Sequence, residues 1–337
     1  MLLDAASVWS KAWPILFAIL FFGVIILIHE LGHFTVAKLS GIKVNEFAIG
    51  MGPKLLSFGK GETKYSLRLI PMGGYVQMEG EDEASEDERA FNQKPVWKRF
   101  LVVIAGAVMN IILGLVLVAI LLTQQNLIGT TQIAGFHENA SSQSSGLQEG
   151  DVITHINGTS VWSDRDISFL MARDRDGVID FTVKRDGQKT ELKNVKFDTR
   201  EVDGQTVITF DFIIIGENKT FWNVLKTSFL ETASMARLVW LSLFDLVTGR
   251  FGLSDLAGPV GTVSVIAEAT TSGGFLNALS LMAFITINIG VFNLLPIPGL
   301  DGGRLFFLII EGIRRKPINP KREGMIHAIG LVLMFAL

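Results

Sequence analysis

The sequence predicts a polytopic α-helical membrane protein with four spans, the last one truncated, a membrane-associated β-hairpin and one inserted α+β domain. Three observations lead to this fold class. The 337 residues are 49% hydrophobic and only 19% charged, with a mean hydropathy of +0.41, which is too apolar for a soluble protein of this length. Three segments stay apolar over the roughly 20 residues that cross a bilayer. A polar stretch at 125–216, with strand-like runs and turns, separates the second from the third.

The first predicted span, at 12–38, lacks the basic start and the small-residue cleavage site of a secretory signal, so we expect it to be retained as a membrane helix. The predicted segments are, in order, transmembrane helix 1 at 12–38, a cytoplasmic loop with a β-hairpin at 39–97, transmembrane helix 2 at 98–123, the inserted domain at 125–216, an interfacial amphipathic helix at 220–250, transmembrane helix 3 at 275–303, a basic cytoplasmic loop at 304–325 and the start of transmembrane helix 4 at 326–337.

The distribution of Lys and Arg predicts the orientation of these spans. The loops at 39–97 and 304–325 are both rich in Lys and Arg, and the positive-inside rule places both in the cytoplasm. Two crossings between them restore the same side, whereas three would not. The inserted domain at 125–216 is therefore expected outside the cytoplasm.

The segment at 220–250 is apolar enough to resemble a further span, but it carries four charges, at Lys226, Glu231, Arg237 and Asp245. Each charge at a bilayer centre costs on the order of 2.5 to 3.5 kcal/mol on insertion scales. We therefore predict an amphipathic helix that lies on the outer membrane surface.

Composition also excludes several classes of site. A net charge of −3 gives no basic field for nucleic acid. The chain has no Cys, so a metal must be held by His, Asp or Glu. The acidic stretch at 79–88 is predicted to be a solvated loop.

The first span contains HELGH at 29–33, which places His29 and His33 four residues apart on one face of a helix. Two imidazoles in this register can bind one zinc ion, and Glu30 between them can polarise its water. The alternative is two histidines satisfied within a helix bundle. Burying such polar groups in an apolar span is costly without a ligand, which favours the zinc site.

A catalytic zinc site usually takes three protein ligands. The third ligand is predicted to be Asp301, in NLLPIPGLDGG after the third span, although Asp-Gly is also a common turn. His137 and His155 lie in the inserted domain, and His327 follows the basic loop, so they are poorer candidates. The predicted topology brings both histidines and Asp301 to the cytoplasmic ends of their helices.

Two further regions carry recognisable patterns. Residues Tyr65 to Met78 predict strand, turn and strand, as an edge beside the zinc or as an ordinary cytoplasmic hairpin. The sequence SGLQEGDVITHINGTSV at 145–161 is similar to the PDZ signature GLxxGDxIxxING. A PDZ domain binds extended peptide on a strand edge, which we predict at Ile133, Ala134, Gly135 and Phe136.

HExxH in the first span, a PDZ module between spans and NxxPxPxLDGG after a later span together resemble the bacterial site-2 protease family, of the RseP and RasP type. The resemblance covers nearly the whole chain. It implies an intramembrane zinc endopeptidase, in which His29, His33 and Asp301 bind Zn2+, Glu30 is the catalytic acid/base and Asn293 orients the substrate. It also implies a membrane-reentrant β-hairpin that binds substrate as an added strand, through Gly50, Gly52, Arg68, Leu69, Gly73, Gly74, Tyr75 and Val76.

The same resemblance implies the partners and the setting. Substrates would be single-span membrane proteins, such as anti-sigma factors already shortened by a site-1 protease, and remnant signal peptides. The location would be the bacterial inner or cytoplasmic membrane, with the PDZ domain extracytoplasmic. That domain either filters substrates by size or recruits them by peptide binding. The segment at 258–261, Gly-Pro-Val-Gly, matches the family and is expected to serve packing.

Two other functions are compatible with parts of the sequence. A membrane scaffold with a PDZ domain and a structural zinc would explain the inserted domain but leaves Glu30 without a role. A metal transporter would explain intramembrane His and Asp, but the chain has a single donor set and no inverted repeat.

Overall fold

The computed structural model describes residues 5–81, 83, 85–174, 176–202, 205–249, 274–318 and 320–336. The segment at 258–261 lies outside these residues. The chain divides into two compact units, one of Met1–Leu117 with Val239–Leu337 and one of Val118–Leu238. The second unit contains the predicted domain at 125–216, and from here on the whole unit is called the inserted domain.

The first unit is built from helices and one bent hairpin. Its elements are α1 Ala5–Leu39, β1 Val44–Phe58, β2 Lys64–Met78, a 3-10 turn at Phe91–Gln93, α2 Val96–Gln124, which continues into the inserted domain, α6 Gly274–Asn293, α7 Asp301–Arg314 and α8 Pro320–Ala336. Within the described residues, three helices are long and apolar enough to cross a membrane: Leu16–Leu39, Val96–Gln124 and Gly274–Asn293. They overlap the first three predicted spans, although the third helix ends ten residues before the predicted end at 303.

Small residues let these helices approach closely. A side chain at Gly32 of α1 would come within 2.5 Å of the Ala105 carbonyl oxygen of α2. Likewise, a Cβ at Gly114 of α2 would lie 2.3 Å from Ile287 of α6. Close backbone approach is typical of membrane helices, which pack through small residues. It brings the HELGH turn of α1 directly against α2.

The hairpin forms a sheet of four segments because β1 and β2 each pair twice. Ala48, for example, lies opposite both Tyr75 and Ser66. The order of the segments is 74–78, 44–49, 64–70 and 51–58, and the two outer pairs are antiparallel, whereas 46–49 and 64–67 run in the same direction. The sequence predicts a turn at 71–74, whereas the structure keeps β2 extended through it and bends the sheet there, with Gly73 at φ +84°. Glycine adopts this backbone without the steric penalty of a side chain.

The region after the third span differs from the prediction. Pro296 and Pro298 prevent continued helical bonding, so α6 ends at Asn293 and α7 begins at Asp301. The predicted loop at 304–325 is helical as far as Arg314. It contains Leu305 and Leu308, which are buried in the core shared with α1, α2 and the hairpin. Helix α8 begins at Pro320, earlier than the predicted start at 326.

The inserted domain is a mixed α+β unit. Its elements are β3 Ile128–Phe136, α3 Ser141–Ser144, β4 Val152–Ile156, β5 Thr159–Ser160, α4 Asp164–Ala172, β6 Val178–Arg185, β7 Gln188–Lys196, β8 Thr199–Val202, β9 Gln205–Ile208, β10 Phe212–Glu217 and α5 Phe221–Val247. The main sheet has the order β10-β3-β4-β6-β7, and β5 pairs with β4. Its core contains Ile133, Ile153, Phe181 and Val183.

The predicted peptide edge at 133–136 is wrong, because β3 is an inner strand. Phe136 lies opposite Phe212 of β10, and Ile133 lies opposite Ile214. On its other side, Ile133 exchanges backbone hydrogen bonds with Gly150 and Asp151, both at 2.9 Å. Among the described strands of this sheet, the outer ones are β10 and β7. Sequence pattern shows which residues form strands, but the partner of each strand is a long-range choice.

Helix α5 is attached to the rest of the inserted domain through buried Asp166 of α4. The Asp166 carboxylate accepts hydrogen bonds from the backbone N–H groups of Trp162 and Ser163 and from the hydroxyl of Ser234 on α5. It also forms an ion pair with Arg237 at 3.0 Å, and the Arg237 guanidinium lies 4.0 Å from the Trp162 ring centroid. Arg237, one of the four charges behind the prediction of an interfacial helix, therefore faces the rest of the inserted domain.

Glu231 of α5 makes a second attachment. Its side chain is 3% exposed and forms an ion pair with Arg165 of α4 at 2.7 Å. Burial raises the pKa of Glu231 to about 7, although Arg165 favours the ionised carboxylate. The opposite face of this half of α5 exposes Phe221, Trp222 and Phe229.

Candidate active site

Two elements distant in sequence bring three donor atoms together. His29 and His33 lie near the end of α1, and Asp301 is the first residue of α7. The two histidine Nε2 atoms are 3.2 Å apart. The Asp301 Oδ2 atom lies 3.2 Å from Nε2 of His29 and 3.3 Å from Nε2 of His33. The three atoms thus form a nearly equilateral triangle.

This triangle fits a zinc ion. A tetrahedral zinc with ligands at about 2.0–2.1 Å separates any two ligand atoms by about 3.3–3.4 Å. The observed separations of 3.2–3.3 Å agree with one face of that tetrahedron. Two imidazoles and one carboxylate are also a donor set that zinc prefers. The predicted metal ligands His29, His33 and Asp301 therefore converge as one site.

Helix α2 forms the wall behind the two histidines. The His33 Nδ1 atom lies 2.8 Å from the Val102 carbonyl oxygen, and the His29 Nδ1 atom lies 3.2 Å from the side-chain amide of Asn110. Between these two positions, a Cβ on Gly106 would lie 2.4 Å from Nε2 of His33 and 2.7 Å from Cε1 of His29. Any side chain at this position would therefore collide with both rings.

Glycine is also required where Asp301 enters the site. A Cβ on Gly302 would lie 2.0 Å from the Leu295 carbonyl oxygen, and one on Gly303 would lie 2.6 Å from that of Ile297. The first turn of α7 is therefore packed directly on the backbone that follows α6. This close contact fixes Asp301 and gives the LDGG motif a physical reason.

A cavity of about 180 Å³ adjoins the three donors. Glu30 lies in it, as predicted for a catalytic carboxylate. Its described lining residues are His29, Glu30, His33, Tyr75, Val76, Met78, Glu81, Val103, Asp301 and Arg304. The sheet segment 74–78 thus forms one wall, and a Cβ on Gly74 would lie 2.9 Å from Cγ of Glu30.

The remaining hairpin residues hold this wall rather than line the cavity. Arg68 donates to the Gly52 carbonyl at 2.7 Å, to Glu46 at 3.2 Å and to the hydroxyl of Tyr75. Burial opposes ionisation of Glu46, but hydrogen bonds from Ser66, Lys54, Tyr75 and Arg68 outweigh it and lower the pKa of Glu46 to about 2. This cluster joins all four sheet segments. Gly50, Gly52, Leu69 and Gly73 are not among the described lining residues.

Asn293 stands apart from the other predicted site residues. It is the last residue of α6, half-buried, and it is not among the described residues that line the cavity. Its predicted contact with substrate stays a prediction.

Sequence reasoning missed residues on two other elements. Gly106 and Asn110 shape the histidine pair from α2, and an Asn within an apolar span was a usable signal. Glu81, within the stretch predicted to be solvated, lies in the cavity and forms an ion pair with Arg304. Because Glu81 and Arg304 are far apart in the sequence, no local sequence pattern could have predicted this ion pair.

A His-His-Asp zinc site at the end of an apolar, membrane-length helix, with a carboxylate beside it, defines a membrane metallopeptidase. The comparisons with known proteins agree. The model of peptidase family M50, the site-2 protease family, matches residues 17–337. The chain belongs to this family, and it is a zinc metallopeptidase.

Individual relatives cover almost the full length. The chain is 31% identical to the regulator of sigma-W protease RasP of Bacillus subtilis, over 95% of this chain and 94% of that protein. It is 32% identical to the zinc metalloprotease RasP of Bacillus licheniformis, over 95% of each. A candidate zinc metalloprotease of Clostridium acetobutylicum is 40% identical, over 96% of this chain and 94% of its own length.

Proposed function

We propose that this membrane zinc protease cuts peptide bonds within the transmembrane segments of single-span membrane proteins. Anti-sigma factors already shortened by a site-1 protease, and remnant signal peptides, are the proposed substrates. The observation that carries this proposal is the position of His29, Glu30 and His33 within Leu16–Leu39, a helix of membrane-spanning length and composition. The resemblance of the chain to RasP, a protease named as a regulator of sigma-W, supports the regulatory setting.

The chemistry of peptide hydrolysis divides between the ion and the chain. Zinc held by His29, His33 and Asp301 supplies Lewis-acid activation of water and of the peptide carbonyl. Glu30 lies in the same cavity and takes the proton from the attacking water. It then delivers that proton to the nitrogen of the leaving amine. One carboxylate can act first as base and then as acid, because accepting the first proton leaves it protonated for the second step.

The sheet segment 74–78 is the proposed binding edge for an unwound substrate. Its inner side pairs with 44–49, and its side chains Tyr75, Val76 and Met78 face the cavity. A helical substrate loses its internal hydrogen bonds when it unwinds, and an added strand on this edge replaces them.

Disulfide cross-linking tests this edge directly, because the chain has no native Cys. In a Glu30→Gln background, Val76→Cys should cross-link to a substrate with one Cys near its cleavage site. Leu56→Cys, which is exposed on the outer segment at the far side of the same sheet, is the matched control. Equal cross-linking at both positions would reject the edge.

The inserted domain is proposed to be an extracytoplasmic PDZ domain that selects substrates. The outer strand β10 replaces 133–136 as the proposed peptide edge, with Ile213 exposed on it. Deleting 125–216 should broaden the range of cleaved substrates if the domain filters by size. The same deletion should abolish cleavage if the domain recruits substrates.

We place the protein in the bacterial cytoplasmic membrane, with the zinc site near the cytoplasmic side and α5 at the outer interface. Exposed aromatic side chains on α5, including Trp222 and Phe229, support contact with lipid headgroups. Labelling of single Cys substitutions along α5 tests this. If the two ends of α5 were labelled from opposite sides of the membrane and its middle were inaccessible from both sides, α5 would instead be a membrane span.

Cleavage of a model single-span substrate in liposomes tests the activity itself. The wild type should cut within the membrane segment, and Glu30→Gln should retain zinc and bind substrate without cutting it. Glu62→Gln makes the same chemical change at an ion pair with Lys38 outside the cavity and should cut normally. Cleavage by Glu30→Gln at the wild-type rate would remove Glu30 from the mechanism. Zinc binding without cleavage of any span would favour the scaffold function.

A further inference from the structure

Asn110 is a polar side chain buried in the middle of an apolar helix. It is 0% exposed, and α2 is otherwise apolar around it. A buried amide without partners costs on the order of 1 to 3 kcal/mol in proteins, so such a residue needs specific partners. One side-chain atom of Asn110 lies 3.2 Å from Nδ1 of His29, while the atom assigned as Oδ1 has no hydrogen-bond partner.

The identity of the atom next to His29 decides what Asn110 does. The oxygen and nitrogen of an amide are assigned from their hydrogen bonds, because the two orientations have the same shape. If the amide nitrogen donates to Nδ1 of His29, a neutral ring carries its proton on Nε2. That proton would point into the triangle formed with His33 and Asp301, where a metal ligand needs a lone pair.

The reversed amide removes the conflict at Nε2 of His29. Oδ1 of Asn110 then accepts the proton of Nδ1, which leaves the Nε2 lone pair of His29 free for zinc. By the same rotation the oxygen, which has no partner in the other orientation, gains a donor, and the amide nitrogen moves into its former place. The site holds an internal precedent, because His33 places its Nδ1 atom 2.8 Å from the Val102 carbonyl oxygen, a group that can only accept.

The two acceptors belong to one stripe of α2. Val102, Gly106 and Asn110 follow one another at intervals of four residues, which places them on the same helix face. Val102 and Asn110 each face one imidazole Nδ1 atom, and Gly106 leaves the space in which both rings stand. The three residues of this stripe therefore face the two histidines of α1, with Val102 and Asn110 at the Nδ1 atoms and Gly106 beside both rings.

We propose that Asn110 is a positioning residue for zinc, which accepts a hydrogen bond from Nδ1 of His29 through Oδ1 and so fixes the tautomer and the orientation of that ligand. The proposal deepens the zinc site and does not depend on which substrates are cut. Partners of this kind, behind the ligands, typically change metal affinity by 10–100-fold.

Zinc affinity of the purified full-length protein, measured by chelator competition, tests the proposal without any cleavage assay. Asn110→Leu keeps the volume but removes the acceptor, and its zinc dissociation constant should rise by about 10–100-fold. Asn110→Asp supplies only acceptor oxygens and should bind zinc as tightly as the wild type or more tightly. Thr286→Val is the control, because Thr286 lies 3.3 Å from the backbone carbonyl of Asn110 rather than from its side chain, and it should leave zinc affinity unchanged.

Visible absorption of the Co2+-loaded protein gives a second readout, because its bands report the coordination geometry. The Asn110→Asp spectrum should match that of the wild type, and the Asn110→Leu spectrum should differ. Wild-type zinc affinity in folded Asn110→Leu would overturn the proposal. Weakened affinity in Asn110→Asp would also overturn it, since an amide donor would then be the required group. If Asn110→Leu does not fold, the Asn110→Asp affinity and spectrum decide alone.

Discussion

Asp166 in the inserted domain and Asp301 at the zinc site are both carboxylates in the first turn of a helix, but their surroundings are opposite. Asp166 is fully buried and accepts hydrogen bonds from two backbone N–H groups and one hydroxyl, with Arg237 as a counter-charge. The Asp301 side chain is 22% exposed and its Oδ2 atom faces two imidazole nitrogens without a hydrogen bond.

The difference separates a structural carboxylate from a metal ligand. Donors surround Asp166, so its charge is satisfied within the fold. If Nδ1 of each imidazole carries the ring proton, the two Nε2 atoms that face Asp301 have no proton to donate to it. Three lone pairs directed at one point repel each other unless a cation lies between them. The contact pattern therefore indicates a metal even where the residue types alone would allow an ion pair.

The largest expected effect follows from changing Asp301. Asp301→Asn keeps the size of the side chain but removes the negative ligand, so zinc affinity should fall by more than about 100-fold, beyond the loss of an outer partner. Cleavage should fall below detection. Zinc content after dialysis and cleavage of a single-span substrate measure both effects. Full zinc retention by this variant would contradict the role of Asp301 as a ligand.

Changing Asp166 should instead affect stability and leave the metal in place. Asp166→Asn leaves Arg237 without its counter-charge, and breaking a buried ion pair typically costs about 3–5 kcal/mol. Hydrogen exchange should show faster opening of α4 and of the first half of α5, with normal zinc content. Glu191→Gln removes an exposed ion pair with Lys189 and should leave exchange unchanged. Unaltered protection of α5 in Asp166→Asn would refute the attachment.

A smaller, pH-dependent effect is expected at Glu231. The pKa of Glu231 is about 7 in the folded domain and about 4.5 when unfolded, so the folded state holds a proton that the unfolded state has lost between these values. The stability of the α4–α5 attachment should therefore decrease as pH rises from 4.5 to 7, by about 3 kcal/mol, and stay level above 7.

Hydrogen exchange of α5, corrected for the intrinsic effect of pH, measures this dependence. Glu231→Gln should remove it and should be more stable than the wild type at pH 8. Glu191→Gln should keep the wild-type dependence. A pH dependence that survives in Glu231→Gln would assign the titration to another group.

The sequence predicted those features that depend on neighbours along the chain. HELGH on a helix places two histidines on one face, and runs of apolar residues mark the spans, so His29, Glu30, His33 and the first three helices could be predicted. Asp301 was predicted because it directly follows the third span, which places it at the same end of the membrane helices as the two histidines. The segment that forms α7 was predicted as a loop because its basic residues were given more weight than its apolar residues, such as Leu305 and Leu308, which the helix buries.

Other features depended on tertiary pairing. The two-fold pairing of β1 and β2, which makes 74–78 an edge at the cavity, follows from long-range register, and so does the covering of 133–136 by β10. Charges on α5 suggested a membrane surface, whereas Glu231 and Arg237 form ion pairs with α4.

The sequence by itself thus determined the membrane helices, the kinds of metal ligand and the carboxylate beside them, because periodicity and local chemistry suffice for these. Only the tertiary structure decided which atoms stand behind the ligands, which strand edge is open and which charges are satisfied. Those properties depend on distances between residues far apart in the chain. Asn110 belongs to both classes, since its cost in an apolar helix is visible in the sequence and its partner His29 only in the fold.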